Sequence, residues 1–267
     1  MRGASAEALA DLLEALGQAS GSADLAKVGD DLFAVAEVLR TEAGLRRVAT
    51  DVSTDRDAKS GLVRSLFEGK VEPTSLDLVA DAVRRRWTAT RDLADALEHL
   101  GVVAVVRSAG SSNADRLADE LFAVHRAIEE NHDLRGALAD PTRSREDKRA
   151  LVRGLLEGKA LPATVTLSEQ ALSGSYRTVG VALEEYQKVA AEVFDERVAE
   201  VRVAQPLAEA DRVRLEQALS RQYGREVHLN VVVDPTLIGG MRVAIGDDVI
   251  DGTVVARLDH ARRKLAG

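Results

Sequence analysis

The sequence predicts a mainly α-helical protein: two tandem, related helical bundles followed by a small α/β C-terminal domain. Three observations predict it. Ala, Leu and Val are plentiful while aromatics make up only 3%, an alphabet suited to helices packed through small aliphatic side chains. A long stretch of the chain repeats itself in fixed register. Beyond residue 197 the apolar spacing changes from helical to alternating.

The repeat sets the domain organisation. Leu32-Phe33-Ala34-Val35 recurs as Leu121-Phe122-Ala123-Val124, a shift of 89 residues (121 minus 32). The same shift carries Lys59 to Lys148, Leu62-Val63-Arg64 to Leu151-Val152-Arg153 and Leu66 to Leu155. It also carries Glu68-Gly69-Lys70 to Glu157-Gly158-Lys159 and Pro73 to Pro162, and sets Trp87 on Tyr176. Nearer the start, Leu9-Ala10-Asp11 matches Leu93-Ala94-Asp95 and Leu16-Gly17 matches Leu100-Gly101, a shift of 84 (93 minus 9). The change in shift marks a loop of altered length. A helix over 91–107 therefore closes the first copy and opens the second. The expected organisation is a first bundle over 1–108, a second over 91–196 sharing that helix, and an α/β domain over 197–267.

Each element has its own signal. Leu25, Val28, Leu32, Val35, Ala36 and Leu39 fall at helical spacing, and Leu117, Leu121, Val124 and Ile128 repeat the pattern. Asp55 and Ser144 are the expected N-caps of the helices carrying Leu62 and Leu151. Gly69 and Gly158 stand where those helices should stop in a left-handed turn, each with a Lys beside it. Pro73 and Pro162 open the next helices. Arg84-Arg85-Arg86, beside the single Trp87, reads as a basic helix end complementing the helix dipole.

In the last third, Ala199, Val201 and Val203 alternate with polar residues as a strand does. A helix follows over 208–223, ending at Gly224. Val227, Leu229, Val231 and Val233 form the next strand, broken by Asp234-Pro235. Gly239-Gly240 leads into a strand over 241–245, Gly246-Asp247-Asp248 turns back into Val249-Ile250, and a final basic helix spans 253–265.

The composition excludes several functions. Net charge is −8 and the pI about 5.3, which argues against nucleic acid as the main partner. There is no cysteine, hence no disulfide framework or thiolate metal site. The longest apolar runs, such as 101–106, are too short to span a bilayer, and Met1-Arg2-Gly3-Ala4-Ser5 lacks a signal-peptide core. A cytosolic protein, or one held at a membrane only through partners, is expected.

Chemistry-bearing patterns are absent too. The repeated Gly-Lys is no phosphate loop, because Arg64 and Val71, or Arg153 and Ala160, occupy the places where it needs Gly and a hydroxyl. Even on one helix face, His125 and His132 would not complete a metal site. Asp247, Asp248 and Asp251 lack the order of a calcium loop and read as a turn plus a helix N-cap. No metal, cofactor or catalytic residue is expected.

The segment from Leu237 to Thr253 resembles the C-terminal signature of the ATP synthase delta subunit family, that of the mitochondrial oligomycin-sensitivity-conferring protein. The family has a hydrophobic-Gly-Gly-hydrophobic strand, a Gly-Asp turn and a closing Ile-Asp-Gly-Ser/Thr before its last helix. Here Leu237, Gly239, Gly240, Gly246, Asp247, Ile250, Asp251 and Gly252 carry the likeness. The usual member has one bundle. Nearly two bundles resemble the enlarged delta region of actinobacterial enzymes, in some species fused to the b subunit, and without a b-like membrane helix this would be the unfused form.

The resemblance implies a non-catalytic stator subunit of the proton-translocating ATP synthase, linking the alpha-subunit N-termini of the catalytic head to the b subunits of the peripheral stalk. It implies a place at the cytoplasmic face of the bacterial membrane, with membrane contact only through partner subunits. The helices near Pro73–Trp87 and Pro162–Tyr176, with Leu76, Val83, Trp87, Leu172 and Tyr176, are the candidate walls of alpha-binding grooves. The competing reading makes Trp87 and Tyr176 core aromatics. A free-standing helical adaptor unrelated to ATP synthesis is the alternative function.

Overall fold

A computed structural model describes every residue except 21–22, 195, 224–225, 246–247 and 254–267. The chain forms two compact units, Met1–Val189 and Ala190–Gly267.

The first unit is helical. Its helices are α1 (Ala4–Ala19), α2 (Leu25–Thr41), α3 (Ala43–Thr50), α4 (Arg56–Phe67), α5 (Pro73–Arg84) and α6 (Asp92–Ala109). After a 3-10 turn at Ser111–Asn113 come α7 (Ala114–Glu130), α8 (His132–Ala139), α9 (Arg145–Leu156), α10 (Pro162–Gln170) and α11 (Val179–Val193), the last running on into the second unit. Helices α7 to α10 each begin 89 residues (114 minus 25) after their counterparts α2 to α5. The duplication in the sequence is thus a duplication of helices.

The local signals act as their chemistry requires. The Asp55 carboxylate accepts from the N–H groups of Asp57 and Ala58, and Ser144 accepts from that of Asp147. Gly69 and Gly158 adopt φ of 73° and 75°, a conformation that side-chain-bearing residues adopt at a cost. Pro73 and Pro162 stand at the first turn of α5 and α10.

One repeated device has no local signal. Asp31 of α2 accepts from the Glu72 N–H (2.8 Å) and the Ser75 hydroxyl (3.0 Å), so it caps α5 from a neighbouring helix. In the second copy Glu120 of α7 accepts from the Leu161 N–H (2.7 Å) and the Thr164 hydroxyl (2.5 Å) at α10. Each acid is paired four residues back, Asp31 with Lys27 and Glu120 with Arg116. Four residues differ between the copies, yet the arrangement is the same.

Helix α6 is buried on all sides: every residue from Leu100 to Val106 is buried, and so are Leu93, Ala94, Ala96, Leu97 and Glu98. That is how an all-round apolar helix behaves in a core. It touches α1, α2 and α5 on one side and α7 and α10 on the other. Helices α2 and α6 cross closely at Gly29 and Gly101. A Cβ on Gly29 would collide with the Val105 side chain, and one on Gly101 would lie 2.6 Å from the Phe33 ring. Glycine here permits backbone approach.

The second unit contains β1 (Glu196–Val203), α12 (Glu209–Tyr223), β2 (Glu226–Val233), β3 (Met241–Ile245) and β4 (Asp248–Asp251). The sheet order is β2-β1-β3-β4. β1 and β2 pair in parallel across the α12 connection, while β3 runs antiparallel to β1 and β4 to β3. Ala199, Val201, Val203, Val227, Leu229, Val243 and Ile245 form one buried face, on which Leu215 and Leu219 of α12 pack. The alternation read from the sequence is this face. The expected helix over 253–265, the Gly224 stop and the Gly246-Asp247 turn lie outside the described residues.

Candidate functional site

At the heart of the helical unit lies a buried polar hub that the sequence reading missed. Glu98 of α6 is 2% exposed. Its carboxylate accepts from the Tyr186 hydroxyl of α11 (2.8 Å), the Ser175 N–H (2.9 Å) and the Gln170 amide of α10 (3.3 Å). From the first copy, the Arg40 guanidinium of α2 reaches the same carboxylate at 2.5 Å and Asp95 at 3.3 Å. Burial by itself would raise the Glu98 carboxyl, but Arg40, the Tyr186 hydroxyl and the Ser175 N–H outweigh it and hold it below the usual glutamate range. Burial pushes the Tyr186 hydroxyl well up, with the Glu98 charge adding to it. Tyr176, edge-on to Tyr186 at 5.8 Å between ring centres, is pushed up to about 12 by the same causes. A charged residue amid all-round apolar spacing is the one sequence signal that points to Glu98.

The predicted groove residues are drawn inward. Leu76 and Val83 of α5 are buried, and so is Trp87, whose indole N–H donates to the Ala82 carbonyl at 2.9 Å. Tyr176 and Leu172, past the end of α10, are half-buried. Leu76, Val83 and Trp87 thus belong to the body of the first copy, and Leu172 and Tyr176 to that of the second. Two arginines of the basic run beside Trp87 are paired, Arg84 with Asp57 and Arg85 with Asp81 and Asp11.

An open cleft of about 660 Å³ lies between the copies, bounded by Asp30, Phe33 and Glu37 of α2 and by Arg149, Arg153, Val165 and Glu169 of α9 and α10. Most of its arginines are engaged, Arg153 with both oxygens of Glu169 and Arg149 with the Ser173 hydroxyl, and Arg145 nearby pairs with Glu37. Such a wall of largely engaged charges offers shape and polarity, and among the described residues it sets no nucleophile beside a base. Among the described residues no cluster of three His, Cys, Asp or Glu could hold a metal ion.

The C-terminal signature closes the β3–β4 hairpin. Gly240 has φ of 84°, and a Cβ there would lie 2.5 Å from the Gly252 carbonyl, while the Gly252 N–H donates to the Met241 carbonyl at 2.9 Å. Gly240 is required by this approach, and a Cβ on Gly252 would crowd the Met241 carbonyl at 3.2 Å. Asp251 accepts from the Thr253 N–H (3.0 Å) and hydroxyl (2.7 Å), which holds its carboxyl below the usual range. Leu237 follows the Asp234 turn, half-buried, and Gly239 precedes Gly240 with its own positive φ. Ile250 pairs with Val243 but is 40% exposed, and nearby on the same unit Ile238 is 80% and Val249 52% exposed. Gly246 and Asp247 lie outside the described residues.

No helix among the described residues is long and apolar enough to cross a membrane. The family model for the ATP synthase delta (OSCP) subunit matches residues 102–265, from inside α6 onward. The ATP synthase subunit delta of Nocardioides sp. (strain ATCC BAA-499 / JS614) is 61% identical over 268 residues, covering 100% of this chain and 98% of that one. Those of Kineococcus radiotolerans and Thermobifida fusca are 47% and 41% identical, over 92% and 100% of this chain and 90% and 100% of theirs. A chain of the Toxoplasma gondii mitochondrial ATP synthase hexamer covers 62% of this chain and 95% of that one at 18% identity, with a TM-score of 0.35, too slight an overlap to add to these. With a family match over more than half its length and full-length relatives at this identity, the chain belongs to the ATP synthase delta (OSCP) subunit family, in an enlarged form with a duplicated helical bundle.

Proposed function

We propose that the chain is the non-catalytic stator connector of the synthase, joining the alpha-subunit N-termini of the catalytic head to the b subunits of the peripheral stalk at the cytoplasmic face of the membrane. The observation that carries this reading is the joint at α6. A connector that resists rotation must transmit load, and two bundles that share one buried helix and one buried ion pair form a stiff body. The family match begins within α6, so the second copy with the C-terminal unit corresponds to the family's common part and the first copy is the addition. The helical copies take the alpha N-termini, in grooves walled by the segments that carry Leu76, Val83 and Trp87 in the first copy and Leu172 and Tyr176 in the second. The C-terminal unit, with its exposed Ile238, Val249 and Ile250, faces the b subunits.

The test is calorimetric titration of the full chain with a peptide of the alpha-subunit N-terminus from the same organism. Two peptides per chain support a groove in each copy. One peptide keeps the connector role and makes one bundle a spacer. Absence of binding at micromolar concentration sinks recognition of alpha by this chain. Trp87→Ala supplies the residue-level check: lost stability with unchanged affinity removes Trp87 from the groove.

A further inference from the structure

Helix α1 repeats α6 but lacks the helix that covers it. By the shift of 84 residues that opens the repeat, Ala10, Leu13, Glu14 and Gly17 of α1 correspond to Ala94, Leu97, Glu98 and Gly101 of α6. These positions, spaced i, i+3, i+4 and i+7, share one helix face. In α6 all four are buried, and α2 lies across them. Phe33 and the Gly29 carbonyl stand against Gly101, while Arg40 reaches the Ala94 carbonyl at 3.4 Å and the Glu98 carboxylate at 2.5 Å. Helix α2 therefore meets this face with a small residue, an aromatic four places on and an arginine seven places after that.

On α1 the same face is open. The helix buries its other side, Ser5, Ala8, Leu12 and Leu16, and packs on α5 and α6. Ala10, Glu14 and Gly17 are exposed, and Leu13 is half-buried. A Cβ on Gly17 would meet only the Arg107 guanidinium, at 3.7 Å, so the chain itself leaves this spot clear. The charge that Arg40 answers on α6 is present here as well. Asp11, the counterpart of Asp95, already pairs with Arg85. Glu14, the counterpart of Glu98, holds no ion pair among the described residues, and its hydrogen bond there comes from Gln18 at 3.3 Å.

We propose that this face of α1 binds one amphipathic helix of a partner protein that is built as α2 is, with a small residue, an aromatic at i+4 and an arginine at i+11. The partner runs antiparallel to α1, as α2 runs to α6. Its small residue and aromatic pack over Gly17 beside Leu13 as ridge into groove, and its arginine reaches Glu14, which fixes direction and register. The second copy takes no such partner, because α2 already fills the place on α6, so the chain binds one helix and not two. The proposal is independent of the alpha reading, since it is tested with a probe that contains no alpha sequence.

The experiment is titration of the full chain with a peptide of the α2 sequence, Leu25–Thr41. The repeat supplies the control, a peptide of α7, Ala114–Glu130, which carries Ala118 and Phe122 at the places of Gly29 and Phe33 but Glu129 at that of Arg40. The expected result is one α2 peptide per chain, bound at least tenfold more tightly than the α7 peptide. Glu14→Arg should reverse that preference, and Gly17→Leu, which has room to fold, should abolish binding of both. Equal binding of the two peptides, two α2 peptides per chain, or none up to about 1 mM overturns the proposal. So does binding that ignores Gly17→Leu while hydrogen exchange rises in the chain's own α2, because the peptide would then be displacing α2 from α6. Self-association of the chain that Gly17→Leu abolishes overturns it too, since a second copy would be the occupant.

Discussion

Glu98 is the residue on which the helical unit turns, because its carboxylate collects donors from both copies while almost wholly removed from water. Glu98→Gln keeps the shape but leaves the Arg40 guanidinium facing a neutral amide, and removing one partner of a buried pair costs about 3 kcal/mol. The pH dependence follows from the sign of the shift. The folded-state carboxyl lies below its usual range, so its contribution is present above the unfolded value of about 4.3 and is lost as pH falls through the folded value. Asp95, whose carboxyl burial raises, runs the opposite way, so wild type must be compared with the variant. Denaturant melts of both from pH 7 down to about 3 should show a gap that narrows with acid. A gap constant across that range would mean that Glu98 contributes packing and no charge. The sequence left Trp87 and Tyr176 open between a groove and a core, and in the structure Trp87 is buried and Tyr176 half-buried. Side-chain type alone does not tell an aromatic anchor from an aromatic core.

At the scale of elements, the legible features were those whose cause lies within a few residues. Asp55, Ser144, Gly69, Gly158 and the two prolines act on the turns they adjoin, and the alternation of β1 and β2 is the mark of their own buried face. The cross-helix caps were illegible because Asp31 and Glu120 act 41 and 44 residues along the chain, and the two acids are different residue types. The crossing of α2 and α6 at Gly29 and Gly101 hid for the same reason, since spacing within one helix says nothing of the helix it will meet. Because the two caps are one device built twice, they give a matched prediction. Asp31→Ala strands the Glu72 N–H and Ser75 hydroxyl, and Glu120→Ala strands the Leu161 N–H and Thr164 hydroxyl, each costing about 1–2 kcal/mol. Hydrogen exchange should rise at the first turn of α5 in one variant and of α10 in the other. Exchange that rises equally at both would mean the acids serve the whole unit and not their own helix.

For the molecule as a whole, the decisive property is that α6 has no free face. Tandem domains joined by a linker unfold separately, but bundles that share a buried helix cannot, because losing either exposes apolar surface of the other. Gly101→Ala tests this. The added methyl meets the Phe33 ring at 2.6 Å, a forced overpacking worth about 1–3 kcal/mol, and it lies where the two copies meet. If the copies form one cooperative body, the variant lowers the melting of every helix from α1 to α10 together. Hydrogen exchange would then show one shifted transition, with α9 and α10 opening alongside α2. If they are beads on a string, α1 to α5 loosen while α7 to α10 keep their protection. That second outcome would remove the stiffness on which the connector role rests, since a joint that yields at α6 absorbs torque where a stator must carry it.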